Sequence, residues 1–215
     1  MKSIDTNVEK TLDRSNALYT IILHEIYLIE HESSFKNTLT KCLSGISFEH
    51  SNSMMILMAT NNYTTAVSLL RLQYEAVARG LWLYFTAKET FLDKYAAPTV
   101  VKKLPSDFPN ITDMINEITK APVKGPREML KAFKDVTWSG MNSYVHNGFL
   151  PIERFLNGYP NELLVQIMQS SNALNIMITT VLTRMSGDIN KVNIVKHIQD
   201  DFQDCLPKLE LMTQI

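Results

Sequence analysis

Two small sets of polar side chains interrupt a chain that is otherwise built for packing. The first is Arg71, Glu75 and Arg79. Steps of four place all three on one stripe of a helix, and Thr64 and Ser68 extend that stripe towards its start. A carboxylate between two arginines neutralises one of them and orients the other. An arginine held that way offers a rigid fork for a phosphate or carboxylate. The second set is Asn142, Tyr144, His146 and Asn147. Trp138, Asn142 and His146 are also spaced by four and share a face. Histidine is the side chain suited to acid–base work near neutral pH. If the two sets met, His146 would move the proton of a ribose 2′-hydroxyl and an arginine would stabilise the charged phosphorane. That combination is the minimum for metal-free RNA cleavage. The alternatives are plain. Glu75 would zip the wet edge of a helix, and His146 would bond the helix end or pack on Trp138.

Other chemistries lack their residues. The chain has no GxxxxGK[ST] loop, no GxGxxG, no HExxH, no GxSxG and no DxDxDG. Glu49, Glu75 and Glu153 have no histidine three residues on, so the Glu-x-x-His pairs of a helical di-metal site are missing. No metal and no cofactor are expected. Cys42 and Cys205 are too far apart for a CxxC motif and read as free thiols of a reducing compartment.

The elements that must position these residues are helices. Apolar residues make up 45% of 215 residues, enough for a sizeable core, while seven glycines and eight prolines are too few for a turn-rich β fold. The stretch from Asn61 to Ala87 is apolar nearly all round, as a central helix would be. Asp5 to about His31, a short face from Phe35 to Ile46 closing near Gly45, Met54 to Ala59, Arg127 to Val145, Asn161 to Met185 and Ile189 to Met212 have helical spacing. Phe48 to Ser53 reads as a polar loop. Gly148 suits a left-handed cap, Pro151 a stop, and Pro207 a break in the last helix. Five of the eight prolines fall between 88 and 126, which reads as an irregular insertion holding short helices at Thr90–Ala96 and Ile111–Thr119, the latter capped by Asn110. Lys94, Lys102, Lys103, Lys120, Lys124, Arg127, Lys131 and Lys134 make that region locally basic, although the net charge is only −1. These lysines face solvent or a phosphate. The expected fold is an all-α bundle of four to five long helices in a single domain, residues 1–215. No apolar signal core opens the chain, and no run approaches the ~20 apolar residues of a membrane span, so a cytoplasmic protein without a membrane partner is expected.

The segments LLRLQYEAVARGLWL and MNSYVHNG resemble a family of bacterial all-helical proteins with an Arg-x-x-x-Glu helix and a later Tyr-x-His-x-Gly turn, here Arg71, Glu75, Tyr144, His146 and Gly148. Those proteins are similar in architecture to the HEPN superfamily. Many HEPN members are metal-independent ribonucleases of toxin–antitoxin and phage-defence systems, commonly acting as dimers. The resemblance implies an RNA or nucleotide ligand, a homodimer, a possible protein partner, and Arg71, Arg79, Glu75 and His146 as the catalytic set, with Asn142, Tyr144 and Asn147 binding the ligand. The chain departs from the usual HEPN signature, an arginine about four to six residues before a histidine on one helix. Upstream of His146 the nearest arginine is Arg127, so the arginine would come from Arg71 or Arg79. The other reading is a non-enzymatic binding or adaptor module whose Arg/Glu/His cluster is structural or takes a small anion.

Overall fold

Two helices that are apolar over most of their circumference form the centre. α3, Tyr63–Phe85, buries Leu70, Tyr74, Val77, Leu81 and Leu83 among others. α8, Asn161–Met185, is buried on nearly every face. The computed structural model describes residues 5–96, 108–120 and 126–208. Among them every regular element is helical, as the composition requires. α1, Thr6–Ile22, starts on Asp5, whose carboxylate caps Asn7 N–H, and closes through a π turn, Leu23–Tyr27. α2, Phe35–Ala59, starts on Ser34 and lies along α3. α4, Glu89–Ala96, is short. α5, Ile111–Ile118, is capped by Asn110 and buries Ile111, Met114, Ile115 and Ile118 against α3. α6, Pro126–Val145, crosses α3; α7, Phe149–Asn157, and α9, Ile189–Asp201, complete the set with a 3-10 turn, Gln203–Cys205.

Four local expectations are corrected. The polar stretch Phe48 to Ser53 is no loop, and the helix does not close near Gly45: α2 runs straight through both. Its serines are small enough to bury, and the hydroxyls of Ser44 and Ser51 find partners, whereas that of Ser47 is buried without one. Ser44 donates to the Thr40 carbonyl, and Ser51 meets Ser171 of α8 at 2.9 Å. Ser51, Ser171, Gln73 and Asn175 form a closed network that ties α2, α3 and α8. A buried polar group costs little when it is bonded like this. The left-handed residue after α6 is Asn147, at φ 51°, and not Gly148, at φ −71°. The Gly148 amide reaches the Ser143 carbonyl at 2.7 Å and the Asn147 amide the Tyr144 carbonyl at 3.5 Å, the paired bonds of a Schellman end. Gly148 is needed for room, because a Cβ there would lie 2.7 Å from Ser143 Oγ. Pro151 stops nothing. It lies in the first turn of α7, where a missing N–H costs no helical bond. The last helix ends at Asp201, well before Pro207. Lys102, Lys103, Lys124, three of the five prolines between 88 and 126 (Pro98, Pro105 and Pro122) and Met212 lie outside the described residues.

Candidate functional site

α3 and α6 run antiparallel, and their contacts follow the two helices in opposite order. Ser68 Oγ faces the Tyr144 carbonyl at 3.4 Å, Arg71 meets Asn142, and the Tyr74 hydroxyl donates to the Leu130 carbonyl at 3.0 Å. α6 therefore crosses the arginine stripe.

Arg71 is held on every side. Its Nε donates to Glu75 at 2.8 Å, its Nη2 lies 2.6 Å from the same carboxylate oxygen, and its Nη1 donates to the Asn142 side-chain oxygen. The guanidinium carbon stands 3.3 Å from the Trp138 ring centroid, a stacked cation–π contact. Arg79 takes the other oxygen of Glu75, at 2.8 Å. Its side chain is 34% exposed against 14% for Arg71 and 18% for Glu75, so it is the open member of the triad. Its Nε is buried and has no hydrogen-bond partner, and its guanidinium lies 5.7 Å from the Phe108 ring centroid. Lys134 adds a further cation 5.3 Å from the Trp138 ring and bonds Thr112 of α5. Two arginines thus share one carboxylate, in a partly desolvated setting where charge acts more strongly than in water, and Lys134 stands nearby on the Trp138 ring.

The second set divides. Asn142 belongs to the arginine cluster. His146 lies one turn further along the same face of α6, exposed, and its ring makes no hydrogen bond or ion pair among the described residues. Tyr144 points elsewhere. It is buried beside Tyr159, and burial, reinforced by Tyr159, holds its phenol far above the ordinary value, so it is a neutral hydrogen-bonding group. Asn147 is exposed and its place is explained by the left-handed turn.

Sequence reasoning placed Lys134 among the basic residues of the insertion and not with this stripe, and it missed Phe108. Lys134 is the next member of the Trp138, Asn142, His146 stripe, four residues upstream, and that spacing was a usable signal. Phe108 comes from before α5, and nothing in its neighbourhood announces it. Among the described residues no group of three or more His, Cys, Asp or Glu side chains could hold a metal, and no helix is long and apolar enough to cross a membrane.

No curated protein and no solved structure matches the chain. Residues 44–208 match a family of unknown function, DUF6988, and this span holds the arginine stripe, its crossing by α6 and the His146 turn. The chain belongs to that family.

Proposed function

We propose that this is a HEPN-like helical module that binds RNA or a nucleotide, without metal, through the phosphate-facing cations of the α3–α6 crossing. The observation that carries the reading is the unequal use of two arginines by one carboxylate. Glu75, Asn142 and Trp138 consume Arg71, which makes it the fixed part of the site. Arg79 keeps donors to spare, and with Lys134 it leaves the cluster net positive. Charge-assisted bonds from a pre-oriented guanidinium suit a phosphate oxygen.

Cleavage is the second reading, and the observation favouring it is His146, an unpartnered imidazole on the face of α6 that carries Asn142. There His146 would take the 2′-hydroxyl proton, and Arg71, joined to Asn142 one turn away, would be the arginine nearer the developing charge, since Arg79 lies further along α3 in the opposite direction. A defence or toxin–antitoxin setting and a homodimer complete the proposal. Phe149, Ile152, Phe155 and Leu156 stand exposed on α7, and the only charges there, Glu153 and Arg154, pair with each other at 3.2 Å. A neutral apolar face meets a copy of itself without like-charge repulsion.

The experiment is cleavage and binding of a labelled single-stranded RNA in chelator. Binding that falls in Arg79→Gln with folding unchanged supports the site. Cleavage lost in His146→Ala with binding kept supports the second reading. Wild-type protein that neither binds nor cleaves leaves the cluster as an architectural clamp between α3 and α6.

A further inference from the structure

The opposite face of α6 borders a different space. A cavity of about 360 Å³ opens between α3, α6, α7 and α8. Its walls are mainly apolar, with Val67, Leu70, Val136, Leu150 and Ile167 prominent. This volume falls within the usual range of small-molecule pockets, which are apolar with a few placed polar groups. Besides Thr137, Ser139 and Tyr144, three such groups line it. Ser170 is only 4% exposed, yet its hydroxyl makes no hydrogen bond among the described residues. Gln166, one turn before it on α8, also lines the space with its amide unused. Arg154 on α7 supplies the one charge of the lining. Only its Nη1 contacts Glu153, at 3.2 to 3.4 Å, so Nε and Nη2 remain available.

Gly140 makes the cavity possible. It lies in the middle of α6, where glycine disfavours the helix relative to a residue with a side chain. A Cβ there would meet only Leu150 Cδ1, at 4.0 Å, so neither crowding nor a positive φ requires glycine. What glycine provides at this position is room.

We propose that this cavity is a binding site for a small amphiphilic acid, its apolar body lying against Val67, Leu70, Val136 and Ile167 and its carboxylate on Arg154, with Gln166 and Ser170 completing the polar contacts. The absence of any acidic side chain from the lining decides the sign of the ligand's charge. The site is separate from the arginine cluster and stands or falls independently of RNA binding.

Calorimetric titration with decanoate and with decanol tests it. Wild-type protein is expected to bind one decanoate. Gly140→Leu, which fills the cavity and favours the helix, abolishes that binding without lowering the melting temperature, and Val136→Phe does the same from a second position on the wall. Arg154→Gln weakens decanoate roughly tenfold and leaves decanol unchanged, the signature of a charge-assisted contact. No binding of decanoate to the wild type, equal binding by Gly140→Leu and Val136→Phe, or equal losses of both probes in Arg154→Gln would overturn the proposal.

Discussion

Arg71 and Arg79 share one carboxylate but do different work, and substitution should separate them. Arg71→Ala removes the stack on Trp138, strands the Asn142 amide and unbalances Glu75, so it should cost about 1–3 kcal/mol of stability, read as a lower melting temperature. Arg79→Gln leaves the α3–α6 clamp standing, and the melting temperature should hardly move. An Arg71→Ala protein that melts like the wild type would rule out the clamp. The two thiols make a similar contrast. Cys42 is exposed, whereas Cys205 is fully buried, donates to the Phe202 carbonyl at 3.4 Å and has its pKa pushed up to about 11 by burial. A thiolate is the reactive form, so a thiol reagent at pH 8 should label one cysteine quickly and the second only after denaturant is added. Two fast thiols would place Cys205 at the surface.

At the scale of elements, the buried network of Ser51, Gln73, Ser171 and Asn175 fixes how α2, α3 and α8 sit together. Gln73→Leu leaves the Ser171 and Asn175 side chains short of partners inside the core, and a loss of about 1–3 kcal/mol is expected from denaturant melts. Asn147→Val should cost more than Asn147→Gly, because a β-branched residue tolerates φ 51° poorly. The same elements explain what sequence reading reached. Helical spacing located α3, α6 and α8 because long apolar periodicity survives any tertiary context. It failed at Phe48 to Ser53, where serines that look like loop were buried by bonding to a helix not yet in view. It placed the left-handed cap on Gly148, the usual residue, and missed Asn147 beside it. It passed over α7, because a proline at the third helical position looks like a stop. For the site, the stripe of Arg71, Glu75 and Arg79 was legible from steps of four. That α6 crosses it at Asn142 was not, since crossing partners depend on packing far apart in sequence.

At the scale of the whole molecule two surfaces matter, the exposed face of α7 and the α3–α6 crossing. Phe155 is 83% exposed and Leu156 81%, on a face without net charge. If two copies meet there, Phe155→Asp should convert a dimer to a monomer in light scattering, with helix content unchanged; a wild-type monomer at high concentration would contradict the homodimer. On the other surface, where α3 and α6 cross, RNA binding is read by fluorescence anisotropy of a short single-stranded RNA, in chelator at low salt, with wild-type protein and Arg79→Gln. Saturable binding that weakens as salt rises is expected, with a loss of about tenfold, roughly 1.4 kcal/mol, in the variant at an unchanged melting temperature. Equal affinity of the two proteins, or no binding by the wild type, would contradict it.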